Sequence, residues 1–578
     1  MNFDFNLSLE ELEKRTNKDY LVTKKMLEVD SVEFKQLNDN DKKALSFLVK
    51  AARIIEKINL QLDSHYNLDF KKFIDDEIEK NNKKAVLTKI LFDAQKGIFA
   101  LDCESNLINL CSNIKYRPQR GFYPLDLEKE EFHRILIDMI EHGKIDEVRK
   151  ILNQRSVVER KDNELIGIDY VDKFHEDFKK IADLLIKASS ISTNSDFNDY
   201  LRLQAQAFLV ADSMLDAYAD KKWASLQDTP LEFTITRENY SDEFSETVFE
   251  NEKLKKLLED NKIEVISKDY LGARVGIVNK EGTDYILKVK EYLPQMAEKM
   301  PLKERYSQTI SSDSDIKQTM VDVDLIEVAG DVGAFRAGIT LAENLPNNDK
   351  LSLTIGGGRR NVYHRQIRFI TSDDARIKIQ ERLDNILIKD FHKYYDDKMD
   401  HPFTIGHENG HSLGPKEGCE GLGKYKSIIE ENKADMVSLS MLDLLVDLGL
   451  YTKEEKEKII VTFFVDNQLK SKPELTQAHR VRSVMQNYYF LKEKTITITQ
   501  DGFLSIDIEK ATETARKMLT KIIEVQLSND FKTAQKYVLD NFIWNDEMEV
   551  ISQKLKRISK RLNGKTDQKL ADYLFNLN

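Results

Sequence analysis

His407-Glu408-Asn409-Gly410-His411, followed by Glu430-Glu431-Asn432-Lys433-Ala434-Asp435, is the stretch that decides the reading of this chain. On a helix, residues i and i+4 lie one above the other. His407 and His411 can therefore present two imidazole nitrogens to one metal ion, with Glu408 beside the open coordination position. A catalytic zinc takes three protein ligands and a water, and Glu431, 20 residues after His411, is the natural third ligand. Asp435 lies one helical turn beyond Glu431 and could accept the remaining ring N–H of a ligating histidine, which fixes its tautomer and raises its basicity. Glu430 is read as a capping or supporting residue and not as a ligand.

The flanks place both pieces on helices. Asp400-His401-Pro402 reads as a helix start, and Gly414-Pro415 as its C-cap glycine and stop. Ser427-Ile428-Ile429-Glu430 reads as a capping box opening a second helix, with Glu431 in its first turn and a stop near Gly449. Gly410 costs the first helix about 1 kcal/mol of propensity relative to alanine, and it would let another backbone approach closely.

Composition narrows the class. The 578 residues are 41% hydrophobic and 33% charged, a globular composition with room for two or more cores. A net charge of −12, with acids and bases interleaved, gives no basic footprint, so no nucleic-acid partner is expected. No stretch reaches the roughly 18 apolar residues of a membrane span, so no membrane association is expected. Cys103, Cys111 and Cys419 are too few for a disulfide framework, and the N-terminus lacks a basic and apolar leader. A cytoplasmic protein is expected. Cys419 falls between the two metal-bearing segments, but a fourth protein ligand would close the catalytic position, so it is read as a buried thiol.

Helical periodicity runs to about residue 219, as over 42–60, 132–152 and 170–189. The period then changes to two, predicting a hairpin over 273–289 that turns at Asn279-Lys280-Glu281-Gly282 and a second over 495–508 that turns at Asp501-Gly502. Strands are also expected over 321–328 and 351–355, and helices over 377–446 and 511–543. Gly356-Gly357-Gly358-Arg359-Arg360 lacks the spacing of a phosphate loop and reads as a tight turn or a close backbone approach.

In chain order, Gly121-Phe122-Tyr123-Pro124 with the helix start Lys129-Glu130-Glu131-Phe132, Glu238-Asn239-Tyr240, Asn344-Leu345-Pro346-Asn347, the metal segments and Gln477-Ala478-His479 resemble a known family. It is the dipeptidyl peptidase III (M49) zinc metallopeptidases, in their bacterial branch. The resemblance implies a mostly helical α+β fold with two lobes around a wide cleft. The upper lobe would be helical and carry zinc, and the lower lobe would be mixed, with a small β-barrel-like sheet. The implied division is 1–257 lower lobe, 258–328 upper lobe with the hairpin, 329–375 a return to the lower lobe with a substrate-binding strand, and 376–578 the zinc-binding upper lobe. One catalytic Zn2+ is implied on His407, His411 and Glu431, with Glu408 as base and Glu430 and Asp435 in support. Tyr240 and His479 would assist at the scissile carbonyl, and Glu238, Asn344 and Asn347 would bind the amino end and backbone of a short peptide.

The implied reaction is release of dipeptides from the N-terminus of short peptides by Glu408-assisted attack of zinc-bound water. The chain departs from the best-known members, which carry an extra residue in His-Glu-x-x-Gly-His, and its spacing from Tyr240 to Asn344 is expanded. Two alternatives stand beside this reading: a non-catalytic or weakly active peptide-binding protein that retains the fold and metal, and zinc hydrolysis of another amide. The intact Glu408 favours catalysis.

Overall fold

The computed structural model describes the chain apart from residues 1, 18–19, 25, 102–105, 118–119, 163, 239–241, 309–319, 331–341, 346–354, 356–359, 365–372, 416–418, 476, 559–561 and 578, and apart from some side chains, among them those of 238 and 342–344. It is mostly helical with small sheets and forms two compact units. The first comprises residues 1–279, 323–367 and 561–578, the second 280–322 and 368–560. These boundaries differ from the expected division, most at two points. The chain leaves the first unit at 279 instead of 257, because 270–279 pairs along the whole of 231–238. The last 18 residues return to the first unit, where 562–566 runs parallel to 21–24.

In the first unit, helix α1 (Asp39–Asp63) is capped by Asn38, whose side chain accepts from the Asp41 amide. It buries Leu45, Leu48, Val49, Ala52 and Ile55 at helical spacing. Strand β1 is Leu21–Lys24; two hairpins not anticipated from the sequence are β2 (Phe99–Leu101) with β3 (Leu107–Asn109) and β4 (Ser156–Lys161) with β5 (Glu164–Asp169). A five-stranded sheet follows from β6 (Leu231–Glu238), β7 (Tyr270–Asn279), β8 (Met320–Ala329), β9 (Ala342–Leu345) and β10 (Arg360–His364), in the order β6-β7-β8-β10-β9. The edge strands β6 and β9 contribute Ile235, Arg237 and Leu345 to one cavity of about 920 Å3, so the sheet curls into a half-barrel. The strand expected over 321–328 is β8. The one expected over 351–355 lies almost wholly outside the described residues, as do Gly356, Gly357, Gly358 and Arg359. Arg360 is fully buried in β10 and donates from Nη1 to the Leu226 carbonyl (2.7 Å), with Glu232 3.6 Å from its Nη2.

The hairpin expected over 273–289 does not form. β7 ends at Asn279 and the chain continues directly as helix α2 (Lys280–Glu291), which buries Gly282, Thr283, Ile286 and Val289. Gly282 looked like a turn residue but serves a close approach: a Cβ there would stand 2.0 Å from Asp322 Oδ2.

The second unit packs helices α3 (Asp400–His411), α4 (Lys426–Ser440), α5 (Ala478–Lys492) and α6 (Ile508–Ser528) around one apolar core that includes Ile429, Met436, Val484, Met518 and Ile522. The second predicted hairpin is present as β11 (Ile496–Ile498) and β12 (Leu504–Ile506), with Gly502 at φ +74°; β13 is Leu562–Thr566. No helix among the described residues is long and apolar enough to cross a membrane.

Candidate metal centre

α3 and α4 lie unusually close. A Cβ on Gly410 would fall 2.8 Å from the Ala434 carbonyl oxygen and 3.0 Å from Ala434 Cα; one on Gly406 would fall 2.3 Å from Ser438 Oγ. Two glycines one turn apart therefore seat against Ala434 and Ser438 one turn apart, and Ser438 Oγ donates to the Phe403 carbonyl (2.8 Å) across the seam. The close approach suggested for Gly410 is real, and its neighbour is α4.

That seam brings the expected ligands together. His407 Nε2 and His411 Nε2 face each other at 3.1 Å; Glu431 Oε2 lies 3.5 Å from the first and Oε1 3.9 Å from the second. One ligand atom from each of the three falls within 4.8 Å of the others. His407 Nδ1 is 2.7 Å from Asp435 Oδ1, and His411 Nδ1 is 3.0 Å from Glu430 Oε1. Ionised carboxylates only accept, so each Nδ1 carries a proton and each Nε2 is the nitrogen left for a metal at the common point.

Glu430 is thus a supporting residue and not a cap. The expected capping box is absent: α4 begins at Lys426 with Tyr425 as N-cap and no side-chain cap. Glu430 and Glu431 lie beyond its first turn, where Glu430 meets His411.

Four further side chains, unmarked in the sequence, complete the surround. Gln486 Nε2 donates to Asp435 Oδ2 (2.9 Å) and Arg482 Nη1 pairs with Asp435 Oδ1 (2.5 Å). Gln526 Nε2 donates to Glu430 Oε2 (2.9 Å), and the buried Lys433 ammonium stands 2.8 Å from Glu430 Oε1. Burial pushes these carboxyls up, but their partners outweigh it. Lys433 and His411 bring Glu430 down to about 2. Arg482 and His407 hold Asp435 below its ordinary range, and His479 with the two ligand imidazoles holds Glu431 well below its own. Burial lowers His411, yet Glu430, Glu431 and Glu408 leave it above its ordinary 6.5.

The donor set fits a divalent metal on three counts. Two imidazole lone pairs converge with a carboxylate, the nitrogen and oxygen set that zinc takes. Glu431 Oε2 is buried and receives no well-aligned hydrogen bond, although His479 Nδ1 lies 3.1 Å away. Glu408, Glu430, Glu431 and Asp435 set four negative charges against the two of Lys433 and Arg482, a difference of two that a dication closes.

Glu408 follows the first ligand on α3, is partly exposed and makes no hydrogen bond among the described residues. His479, in the first turn of α5, is exposed and reaches Glu431, so the structure does bring it to the site. Cys419 is a buried free thiol outside the ligand set, as expected. Tyr240 and Asn347 lie outside the described residues. Glu238 and Asn344 are placed by their backbone, in β6 and in β9, the latter opposite Asn361 of β10.

No protein-family profile matches the chain. Its sequence is 24% identical over 565 residues to Nudix hydrolase 3 of Arabidopsis thaliana, a match spanning 88% of this chain and 68% of that protein. Its structure is similar to that of DPP III from Caldithrix abyssi (TM-score 0.77, 21% identity, 97% of this chain and 100% of that one). It is also similar to dipeptidyl-peptidase III from Corallococcus sp. strain EGB (TM-score 0.72, 20% identity, 97% and 98%). Over nearly its whole length the chain has the fold of these structures.

Proposed function

We propose that this chain is a zinc-dependent exopeptidase that releases dipeptides from the amino terminus of short peptides, acting in the cytoplasm. The observation that carries the reading is the convergence of His407 Nε2, His411 Nε2 and Glu431 beside an uncommitted Glu408. The fold shared with two dipeptidyl peptidase III structures supports the substrate class.

Zinc held by His407, His411 and Glu431 would supply Lewis acidity and a water of lowered pKa. The remaining work falls to the chain. Glu408, with no hydrogen bond to break, takes a proton on the attacking side and returns it to the leaving amine. His479, exposed at the start of α5, would donate toward a developing oxyanion, and Tyr240 would take the same part. Glu238 meets the substrate ammonium, and Asn344 and Asn347 hold its backbone. The edge position of β9 suits an extended peptide added as a further strand. The free thiols of Cys111 and Cys419 suit a reducing compartment.

The test is metal content together with hydrolysis of dipeptidyl arylamides by the wild type and by Glu408→Gln. One zinc in each, with turnover reduced about 10²–10⁴-fold in the variant, supports the reading. A protein that binds no zinc, or that cleaves N-blocked and free peptides alike, overturns it.

A further inference from the structure

Behind the two ligand histidines, the same arrangement is built twice from unrelated parts of the chain. His407 hands its Nδ1–H to Asp435 Oδ1 (2.7 Å), whose other oxygen accepts from Gln486 Nε2 (2.9 Å). His411 hands its Nδ1–H to Glu430 Oε1 (3.0 Å), whose other oxygen accepts from Gln526 Nε2 (2.9 Å). The two carboxylates lie on α4, but the glutamines come from different helices, Gln486 from α5 and Gln526 from α6. Both glutamines are buried. Gln486 is itself fixed, its Oε1 accepting from Asn467 Nδ2 (3.0 Å) and its Nε2 also reaching Asn432 Oδ1 (3.1 Å).

We propose that Gln486 and Gln526 are positioning residues for the metal, each setting the rotation of a carboxylate and through it the ring of one ligand histidine. This rests on the metallopeptidase reading above. A carboxylate held at one oxygen alone can turn about its terminal torsion, which is broad and weakly restrained. It then lets the imidazole swing, or presents its free oxygen to the metal. An amide N–H on the second oxygen removes that freedom. A cation beside each pair, Arg482 at Asp435 and Lys433 at Glu430, adds charge balance. Among the described residues, only the amide reaches the oxygen that the histidine leaves open. Loss of partners of this kind costs about 10–100-fold in metal affinity.

The experiment measures zinc affinity by chelator competition, and the rate of zinc loss to a chelator, in the full chain carrying Gln486→Met or Gln526→Met. Methionine keeps the length and removes the donor. Gln468→Met is the control. Gln468 is equally a buried glutamine of this unit and donates to the Phe464 carbonyl (2.9 Å) and Asn487 Oδ1 (2.7 Å), but it touches no carboxylate of the site. Gln486→Met also strands Asn467 and Asn432, so Gln526→Met carries the test if the first variant does not fold. The expected result is zinc affinity lowered about 10–100-fold and faster zinc loss in either site variant, with affinity unchanged in the control even though its melting temperature falls. Site variants within threefold of wild-type affinity, or a control that weakens zinc equally, overturn the inference. A wild type that binds no zinc overturns the metallopeptidase reading instead, and the two failures are read from separate samples.

Discussion

Gly410→Ala isolates the contribution of helix spacing to the metal site. The added Cβ would stand 2.8 Å from the Ala434 carbonyl oxygen, 3.0 Å from Ala434 Cα and 3.2 Å from Val437 Cβ. Relaxed contact begins near 3.5 Å, so α3 and α4 must part by roughly 0.5–0.7 Å, since two of the three obstructing atoms are backbone and cannot rotate away. Overpacking of this kind costs about 1–3 kcal/mol, and the gain in helix propensity returns about 1 kcal/mol. The net expectation is a metal-free protein destabilised by up to about 2 kcal/mol. The two histidines sit on α3 and Glu431 on α4, so the same separation loosens the ligand triangle, and zinc affinity should fall about tenfold or more. Urea unfolding of the metal-free variant and chelator competition with the zinc form measure the two effects. Gly406→Ala is the comparison: its obstacle is Ser438 Oγ at 2.3 Å, a movable atom, so adding Ser438→Ala should recover part of the loss. A Gly410→Ala protein more stable than wild type by the propensity term, with unaltered zinc affinity, would refute the reasoning.

Three further outcomes are expected. Stripping the metal should lower the melting temperature of the second unit by about 5 °C relative to protein held at a hundredfold excess of zinc over Kd, read by calorimetry; equal melting temperatures would sink the site as a stabilising centre. His411 lies above its ordinary 6.5, so its contribution to metal-free stability is full below the unfolded value and is lost as pH rises above 6.5 through the raised folded one. Glu430, brought down to about 2, contributes above its unfolded value and loses that contribution only as pH falls from about 4.5 toward 2. Zinc must displace the His411 proton, so titration near pH 7 in buffers of different ionisation enthalpy should show net proton release, and none would contradict the assignment. Asp242→Ala should destabilise the first unit by about 3–5 kcal/mol in urea. This buried carboxylate accepts from Tyr123 OH (2.8 Å) and from the amides of Phe244 (2.9 Å), Ser245 (2.7 Å) and Lys268 (2.8 Å); a loss under 1 kcal/mol would remove it as the anchor of the segment after Tyr240.

The metal ligands were legible because their chemistry is compressed into 25 residues and expressed in residue types that do little else at that spacing. Asp435 was legible for the same reason, one turn from Glu431. Gln486 and Gln526 were not. They stand 51 and 96 residues from the carboxylates they hold, and a glutamine carries no charge, spacing or motif that marks it as different from Gln468. Only the packing of α5 and α6 against α4 gives them a role. The α2 segment failed for a different reason. β7 is buried along eight of its ten residues, so its apolar run carries no alternation to show where the strand ends, and the glycine after it was read as a turn when it was needed for contact with Asp322.

Glu430 shows how narrow the margin is between two roles for one side chain. A capping box requires the glutamate three residues into the helix, where its carboxylate can reach back to the N-cap amide. With α4 beginning at Lys426, Glu430 is the fifth helical residue and that amide is out of reach. The sequence Ser427-Ile428-Ile429-Glu430 satisfies the motif, but the preceding turn from Glu420 to Tyr425, with Gly423 at φ 55° and ψ −139°, feeds the chain into the helix early. That advance takes Glu430 out of capping and places it beside His411. It also leaves Glu431, the next residue, facing the point where both Nε2 atoms meet. The ligand and its neighbour's buttress therefore depend on one helix start. A change that moved that start by a residue would disturb the metal through Glu430 and Glu431 together, while leaving the His407–Asp435 arm in place.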